Sequence, residues 1–274
     1  MASLGEQYET PGPSTLQAGE ARPSDRHGVV KLFLCGDVML GRGVDQILPD
    51  SCPPALLEPY VDSALDYVKL AERAHGPIPR PVDYAYVWGV ARDILDAEQP
   101  DVRIVNLETS VTTSDDAEPK GINYRMHPRN VAILSAARID CCVLANNHVL
   151  DWGGRGLLQT LETLRAAGIQ VTGAGEDLER ASAPSITPLS DGRRVLVFGL
   201  GASDSGIPPH WAARSDRPGV NWLGELSRGS VRRVQQLVSA VKRRGDIAVA
   251  SIHWGPNWGY EIPRDHRHFA HALI

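Results

Sequence analysis

The 274-residue chain carries 28 basic and 33 acidic residues, for a net charge of −5, and 42% of its residues are hydrophobic. That apolar fraction is enough to fill the core of a large domain. The charge balance gives no electrostatic support for binding a phosphate backbone, so nucleic acid is not an expected partner.

Residues 1–28 are rich in Gly, Pro, Ser, Glu and Arg and contain no apolar stretch. Such a composition is typical of disorder and provides neither a secretory signal nor a membrane anchor. No later window approaches the roughly 18 consecutive apolar residues that a membrane-spanning helix needs. We therefore predict a disordered leader at residues 1–28, one domain at residues 29–274, and a cytoplasmic protein without a membrane segment.

Short apolar runs rich in Val, Ile and Leu predict buried strands. Amphipathic or Ala-, Leu- and Arg-rich stretches between them predict helices, and this alternation predicts a largely parallel α/β sheet. The predicted strands are residues 29–35, 102–107, 139–145, 194–200 and 247–252. The predicted helices are residues 55–74, 88–98, 129–137, 154–167 and 229–244.

Three segments between these elements are interpreted as loops. Residues 76–83 are proline-rich and residues 112–123 are polar and charged, so both are predicted to be surface loops or short insertions. Residues 201–228 combine Gly, Pro and Ser with aromatic residues and are expected to shape the rim of a cleft.

Ligand-type side chains follow four of the five predicted strands: Asp37, Glu108, the pair Asn147 and His148, and His253. Because the carboxyl ends of parallel strands open onto one crevice, we expect these side chains to lie together. Carboxylate and amide oxygens with imidazole nitrogens form a donor set that suits Mn, Zn or Fe better than a thiolate site does. A binuclear centre could activate a water molecule there.

Each of these residues also has an ordinary structural explanation. Asp37 follows a glycine and could belong to a turn or cap a helix, and Glu108 could equally cap a first helical turn. Asn147 lies in a common turn pair, and a lone histidine is more often structural than a ligand. The repetition of ligand-type residues at the same end of successive strands favours a shared site.

Six segments occur in an order that is specific to one family. They are GDVMLGR (36–42), IVNLETSVT (104–112), YRMHP (124–128), LANNHVLDWG (144–153), GAG (173–175) and SIHWGPNWGYE (251–261). On these motifs residues 29–274 resemble the CapA capsule-synthesis (poly-γ-glutamate) proteins, which have a calcineurin-like metallophosphatase fold. The resemblance implies an α/β class with a metallophosphatase-like α/β/β/α sandwich.

The resemblance also implies roles for the strand-end residues. The expected ligands of a binuclear divalent metal site are Asp37, Glu108, Asn147 and His253. His148 resembles the histidine that follows the ligand asparagine in metallophosphatases, where it protonates the leaving group or stabilises developing charge.

Four further residues are weaker candidates. Arg42 or Arg125 could clamp an anionic substrate through paired hydrogen bonds, and Asp151 could orient His148. Surface ion pairs, or a helix cap in the case of Asp151, remain equal alternatives. Trp254 follows the proposed metal ligand His253 and would suit a groove for an extended polymer, with core packing as the alternative.

By resemblance, a further strand ending in a Gly-His-x-His-like segment would follow the last predicted helix and supply the remaining ligands. Residues 272–274 instead end the sequence inside an apolar helical pattern without a stop signal. We therefore expect a sandwich that lacks its C-terminal strands, which leaves metal affinity and catalysis in question.

Two functions remain open from the sequence. The first is a metal-dependent hydrolase that acts on a phosphoester or a related acyl or amide bond, in a protein of capsule synthesis. The second is a non-catalytic accessory module that uses the same cleft to bind a polyanion such as poly-γ-glutamate. Both predict an anionic small molecule or polymer as the partner.

Overall fold

The computed structural model describes residues 28–274, so the predicted leader lies outside the described residues except for Gly28. Strands and helices alternate along the chain, which confirms the predicted α/β class. In this part of the chain no helix has the length and apolar character needed to cross a membrane.

The bounds of the elements follow the chain order. The strands are β1 (Leu32–Val38), β2 (Val102–Leu107), β3 (Ser110–Val111), β4 (Arg125–Met126), β5 (Cys141–Val143), β6 (Gln170–Thr172), β7 (Ala174–Gly175), β8 (Ser185–Pro188), β9 (Arg194–Ala202), β10 (Gly219–Val220), β11 (Trp222–Gly224) and β12 (Ile247–His253). The α-helices are α1 (Arg42–Ile47), α2 (Ala64–His75), α3 (Val90–Glu98), α4 (Ala132–Ala136), α5 (Gly153–Ala166), α6 (Leu178–Ser182), α7 (Arg228–Val241) and α8 (Arg264–Leu273).

Two four-stranded sheets organise the domain. Sheet 1 has the order β1-β2-β5-β6, and all of its pairs are parallel. In sheet 2, β9 pairs in parallel with β11 and β12 and antiparallel with β8. Parallel neighbours need a crossover connection, and helices supply it, as α5 does between β5 and β6. The prediction of a largely parallel arrangement is therefore confirmed.

Side chains alternate between the two faces of each sheet and sort into separate apolar clusters. Val102, Ile104, Cys141 and Val143 of sheet 1 pack with Val195 and Val197 of sheet 2. The opposite face of sheet 1 packs on α4 and α5 through residues such as Val105, Cys142, Ile133 and Leu157. Leu200 and Leu223 of sheet 2 pack with Val234 of α7 and Phe269 of α8. The two sheets thus share one cluster, while each packs separately against helices.

The predicted helix at residues 55–74 is wrong in its first half, because α2 begins only at Ala64. Ser63 is extended and its side chain accepts a hydrogen bond from the backbone N–H of Leu65, which caps the helix at this point. The preceding residues turn back on themselves, with the N–H of Ala64 bonded to the carbonyl of Pro54. The apolar pattern of residues 55–63 therefore does not form a helix, because the chain turns at Pro54 and the helix is capped at Ser63.

The first predicted strand is displaced and only partly buried. It forms three residues later, as β1, and Leu34 is 57% exposed although its run is largely apolar. The reason is that β1 lies at the outer edge of sheet 1, as β12 does in sheet 2. The predicted loop at residues 201–228 also needs correction, since it contains β10 and β11, and β11 extends sheet 2.

The two sheets approach each other closely at a pair of glycines. A Cβ atom on Gly199 of β9 would lie 2.7 Å from the Cα atom of Gly173 and 2.9 Å from Cγ1 of Val143. Gly173 follows β6 and has a φ of +88°, a conformation that side chains of L-residues rarely adopt. The absence of side chains at both positions therefore allows the backbones to touch.

We expect Gly199→Ala to lower the free energy of unfolding by about 1–3 kcal/mol, because the added methyl group would force the two sheets apart. Urea denaturation measures this change. The control is Gly229→Ala in α7, where the new Cβ would meet only Ser227 Oγ at 3.4 Å. Alanine favours a helix over glycine by up to ~1 kcal/mol, so the control should be neutral or slightly stabilising. Equal stability of the two variants would contradict this account.

Candidate functional site

The ends of four strands bring the predicted ligands together. His253, the last residue of β12, lies between the others: its Nδ1 is 3.5 Å from Asp37 Oδ1 and its Nε2 is 3.8 Å from Glu108 Oε1. The same Nε2 lies 2.9 Å from Oδ1 of Asn147. Asp37 is in β1, Glu108 follows β2 and Asn147 follows β5, so both sheets contribute to one cluster.

Two buried asparagine side chains form hydrogen bonds with this cluster and with each other. Asn106 Nδ2 donates to Asp37 Oδ1 at 2.6 Å and lies 3.3 Å from His253 Nδ1. Asn146 Nδ2 in turn donates to Asn106 Oδ1 at 3.1 Å, and Asn146 Oδ1 accepts from the N–H of His148 at 3.0 Å. Neither asparagine is among the predicted ligands. The available signal is their position, since Asn106 and Arg103 are the polar residues of a strand that is buried along its whole length.

The two carboxyl groups of the cluster are perturbed in opposite directions. Burial, together with the negative charge of Asp37, raises the pKa of Glu108 to about 7. The hydrogen bond with His253 lowers the pKa of Asp37, and the Asn106 amide acts in the same direction. A desolvated carboxyl with a near-neutral pKa beside a second carboxylate is an arrangement that a bound cation would relieve.

The donor chemistry fits a divalent ion of the Mn, Zn or Fe type, since two carboxylates, an amide oxygen and an imidazole converge. These groups now face one another, with His253 hydrogen-bonded to Asn147. Within residues 28–274, no three His, Cys, Asp or Glu side chains are already arranged to hold a metal ion. The assignment of Asp37, Glu108, Asn147 and His253 as metal ligands therefore stays a prediction.

His148 lies beside the cluster and contacts Asp151, as the sequence predicts. Its Nδ1 is 2.7 Å from Asp151 Oδ2, and its Nε2 is 3.9 Å from Glu108 Oε1. The ring stacks on Tyr124 with centroids 3.8 Å apart. Burial lowers the pKa of His148, while the contact with Asp151 opposes that shift. Lys120, in the segment interpreted as a polar loop, also reaches Asp151 Oδ1 at 2.8 Å.

Arg42 is separated from His148 by the ring of Tyr124, which contacts both residues. Its guanidinium carbon lies 4.8 Å from the ring centroid of Tyr67 and 4.6 Å from that of Tyr124, the ring that also stacks on His148. Arg42 Nε donates to Glu58 Oε1 at 2.5 Å. Its φ of +51° is unusual for a residue other than glycine. These contacts hold Arg42 in an ion pair and between aromatic rings.

Arg125 and Trp254 make packing contacts outside the cluster. The Arg125 guanidinium lies 3.9 Å from the ring centroid of Trp152 and donates to the carbonyl of Ser114 at 2.8 Å. Trp254 stacks on His266 with centroids 4.7 Å apart and packs in the cluster between sheet 2 and its helices. The contacts of Trp254 agree with core packing, the alternative to a polymer-binding groove. Substrate binding by Arg125 or Trp254 stays a prediction.

Comparison with known proteins identifies the family. Residues 31–274 match the model for bacterial capsule synthesis proteins, described as "Bacterial capsule synthesis protein PGA_cap". This chain belongs to that family. The resemblance to the CapA proteins, proposed from the GDVMLGR and ANNH segments, is thereby confirmed.

Several relatives have names that refer to polymer synthesis. The chain is 49% identical over 249 residues to a probable polyglutamine synthesis accessory protein of Mycobacterium tuberculosis, a match that covers 90% of this chain and 65% of the relative. It is 25% identical over 248 residues to the PGA biosynthesis protein CapA of Bacillus subtilis, covering 89% of this chain and 54% of that protein. The chain therefore spans less than two thirds of the length of these relatives.

Glu108→Gln should stabilise the metal-free protein at alkaline pH. The pKa of Glu108 is raised from 4.5 to about 7, so the native state holds a proton that the unfolded chain releases between these values, and stability falls as the pH rises through this window. Allowing for solvent screening, we expect the variant to be more stable than wild type by about 1 kcal/mol at pH 8. The two should be equally stable at pH 4.5.

The measurement is urea denaturation at both pH values in the presence of EDTA. Glu162→Gln, at an exposed position of α5, is the matched control and should unfold like wild type at both. A Glu108→Gln variant that is less stable than wild type at pH 8 would show that this carboxylate stabilises the fold.

Proposed function

We propose that this chain is a CapA-like protein of poly-γ-glutamate capsule synthesis with a metal-dependent, phosphoesterase-type hydrolase site. The observation that carries the proposal is the convergence of Asp37, Glu108 and Asn147 on His253, within 2.9–3.8 Å of its ring nitrogens. The names of the mycobacterial and Bacillus relatives support the link to polymer synthesis. The two helix-flanked sheets support a metallophosphatase-like sandwich.

The residues of the cluster would have separate roles in such a site. Asp37, Glu108, Asn147 and His253 would hold the metal, and the Asn106 amide fixes Asp37 through its 2.6 Å hydrogen bond. When bound, a divalent ion of this kind polarises the scissile group and makes water a stronger nucleophile. The raised pKa of Glu108 reflects the cost of burying a second negative charge beside Asp37, and a bound cation would offset that cost.

His148 and Asp151 would handle the proton. Nδ1 of His148 faces the buried carboxylate of Asp151, which leaves Nε2 directed to the side of Glu108, 3.9 Å from Oε1. A proton exchanged at Nε2 would therefore be exchanged inside the cleft and close to the proposed metal ligands. Asp151 orients the ring, since a carboxylate partner fixes both its direction and its tautomer.

The substrate is proposed to be anionic. Arg42 and Arg125 stay candidates for its recognition, although both now contact aromatic rings and protein acceptors. The cytoplasmic location also stays a proposal that rests on the sequence alone.

A second candidate function is a non-catalytic module that binds a polyanionic polymer. The loop after β12 begins next to His253 and carries two aromatic residues. Trp258 is 88% exposed to solvent, and Tyr260 is fully exposed. Exposed aromatic rings at the edge of a cleft are suited to contact an extended chain. The same ligand-type residues would then serve binding without turnover.

Asp37→Ala should abolish both Mn²⁺ binding and the hydrolysis of a generic aryl phosphate, because it removes one of the two carboxylates of the cluster. Calorimetric titration of metal-free protein with Mn²⁺ and a colorimetric assay measure the two effects. Asp115→Ala, whose side chain is 93% exposed in a loop, is the control and should behave as wild type.

The two candidate functions give different outcomes in the same experiment. Hydrolysis by wild type that is lost in Asp37→Ala supports the enzyme. Retained binding of poly-γ-glutamate by wild type without turnover supports the accessory module. Wild-type protein that binds neither Mn²⁺ nor the polymer would overturn both.

A further inference from the structure

Lys120 inserts its ammonium group behind the histidine of the candidate site. Nζ lies 2.8 Å from Asp151 Oδ1 and 3.4 Å from His148 Nδ1, and it donates to the backbone carbonyl of Asn147. One cation thus contacts the backbone of a proposed metal ligand and the carboxylate that faces His148. The side chain is only 26% exposed, although its segment has the composition of a surface loop.

The carboxylate of Asp151 is fully buried and receives three partners. His148 Nδ1 and the N–H of Tyr124 approach Oδ2 at 2.7 and 2.6 Å, whereas Lys120 Nζ binds Oδ1. Lys120 contributes the ammonium group of this set. A buried carboxylate that loses its cation carries a desolvation cost that neutral donors compensate poorly. Lys120 therefore supplies a charge that compensates this buried carboxylate.

The segment that carries Lys120 is itself anchored to the histidine loop. The backbone N–H of Glu118 and Nδ2 of Asn123 both donate to the carbonyl of Asp151, each at 2.9 Å. The ring of Trp211 lies 5.1 Å from Lys120 Nζ and contributes a cation–π contact. These contacts fix the ammonium in space, so that its hydrogen bonds constrain the residues they reach.

We propose that Lys120 is a positioning residue of this site. By binding Asn147 through its carbonyl and Asp151 through its carboxylate, it holds residues 146–151 in the conformation that directs the Asn147 amide to His253 and the Nε2 atom of His148 to Glu108. The functional meaning of this role rests on the proposed metal site, whereas the positioning itself can be tested in metal-free protein.

The first test is hydrogen–deuterium exchange of the full chain without metal. In Lys120→Met, which keeps the apolar part of the side chain, we expect exchange at residues 118–124 and 146–151 to become about tenfold faster through local opening, with the strands unchanged. Lys120→Arg, which keeps donors and charge, should restore much of the protection. Lys69→Met is the matched control, since Lys69 forms an exposed ion pair with Asp66 at 2.8 Å.

Unchanged exchange at residues 146–151 in Lys120→Met would overturn the proposal. So would an equal increase in every strand, because that pattern indicates a general loss of stability.

The second test is the affinity for Mn²⁺ of the same variants, measured by calorimetry on folded protein. Supporting contacts of this kind change metal affinity by roughly 10–100-fold, so we expect about tenfold weaker binding in Lys120→Met and wild-type binding in Lys69→Met. Equal affinity of Lys120→Met and wild type would count against the positioning role. If wild type itself binds no Mn²⁺, the proposed metal site fails, and the exchange experiment still decides the role of Lys120.

Discussion

The close approach of the two sheets decides where the candidate site can form. Most of its ligand-type residues follow strands of sheet 1, but His253 ends β12 in sheet 2. Gly201, the partner of His253 in β9, lies so near sheet 1 that a Cβ there would be 2.8 Å from the carbonyl oxygen of Ala145. A larger residue would push β9 and β12 outward, and the 2.9 Å contact between His253 and Asn147 would be lost.

Where the two sheets meet, two neighbouring carboxyl groups are partly buried, and both burial and their like charges disfavour this arrangement. Glu108 is desolvated next to Asp37, and its pKa rises to about 7 as a result. The amides of Asn106 and Asn146 satisfy the polar atoms underneath without neutralising the charge. A carboxyl group with a strongly shifted pKa, held in place by residues whose hydrogen bonds are all formed, is typical of a functional site. A purely structural role would not require such a carboxyl group.

The strand ends were predictable because two regularities act together. Apolar runs locate the buried strands, and parallel pairing brings the carboxyl ends of β1 and β2 to one edge of sheet 1, which is why Asp37 and Glu108 could be expected to meet. His253 joins them from sheet 2, because β12 ends beside that edge. Lys120 and Trp254 could not be placed in this way. Lys120 lies 31 residues from Asp151 in a segment without periodicity, and the direction of the Trp254 ring depends on the position of α8.

The sequence by itself determined the α/β class, the family and the residues at the strand ends, because these follow from local periodicity and from short motifs. The tertiary structure alone decided which strands pair within each of the two sheets and the exposure of Leu34 at an open edge. It also decided that Trp254 packs on His266 and that a lysine from a polar loop lies behind His148. These features depend on contacts between distant segments, and such contacts have no signature in the local order of residues.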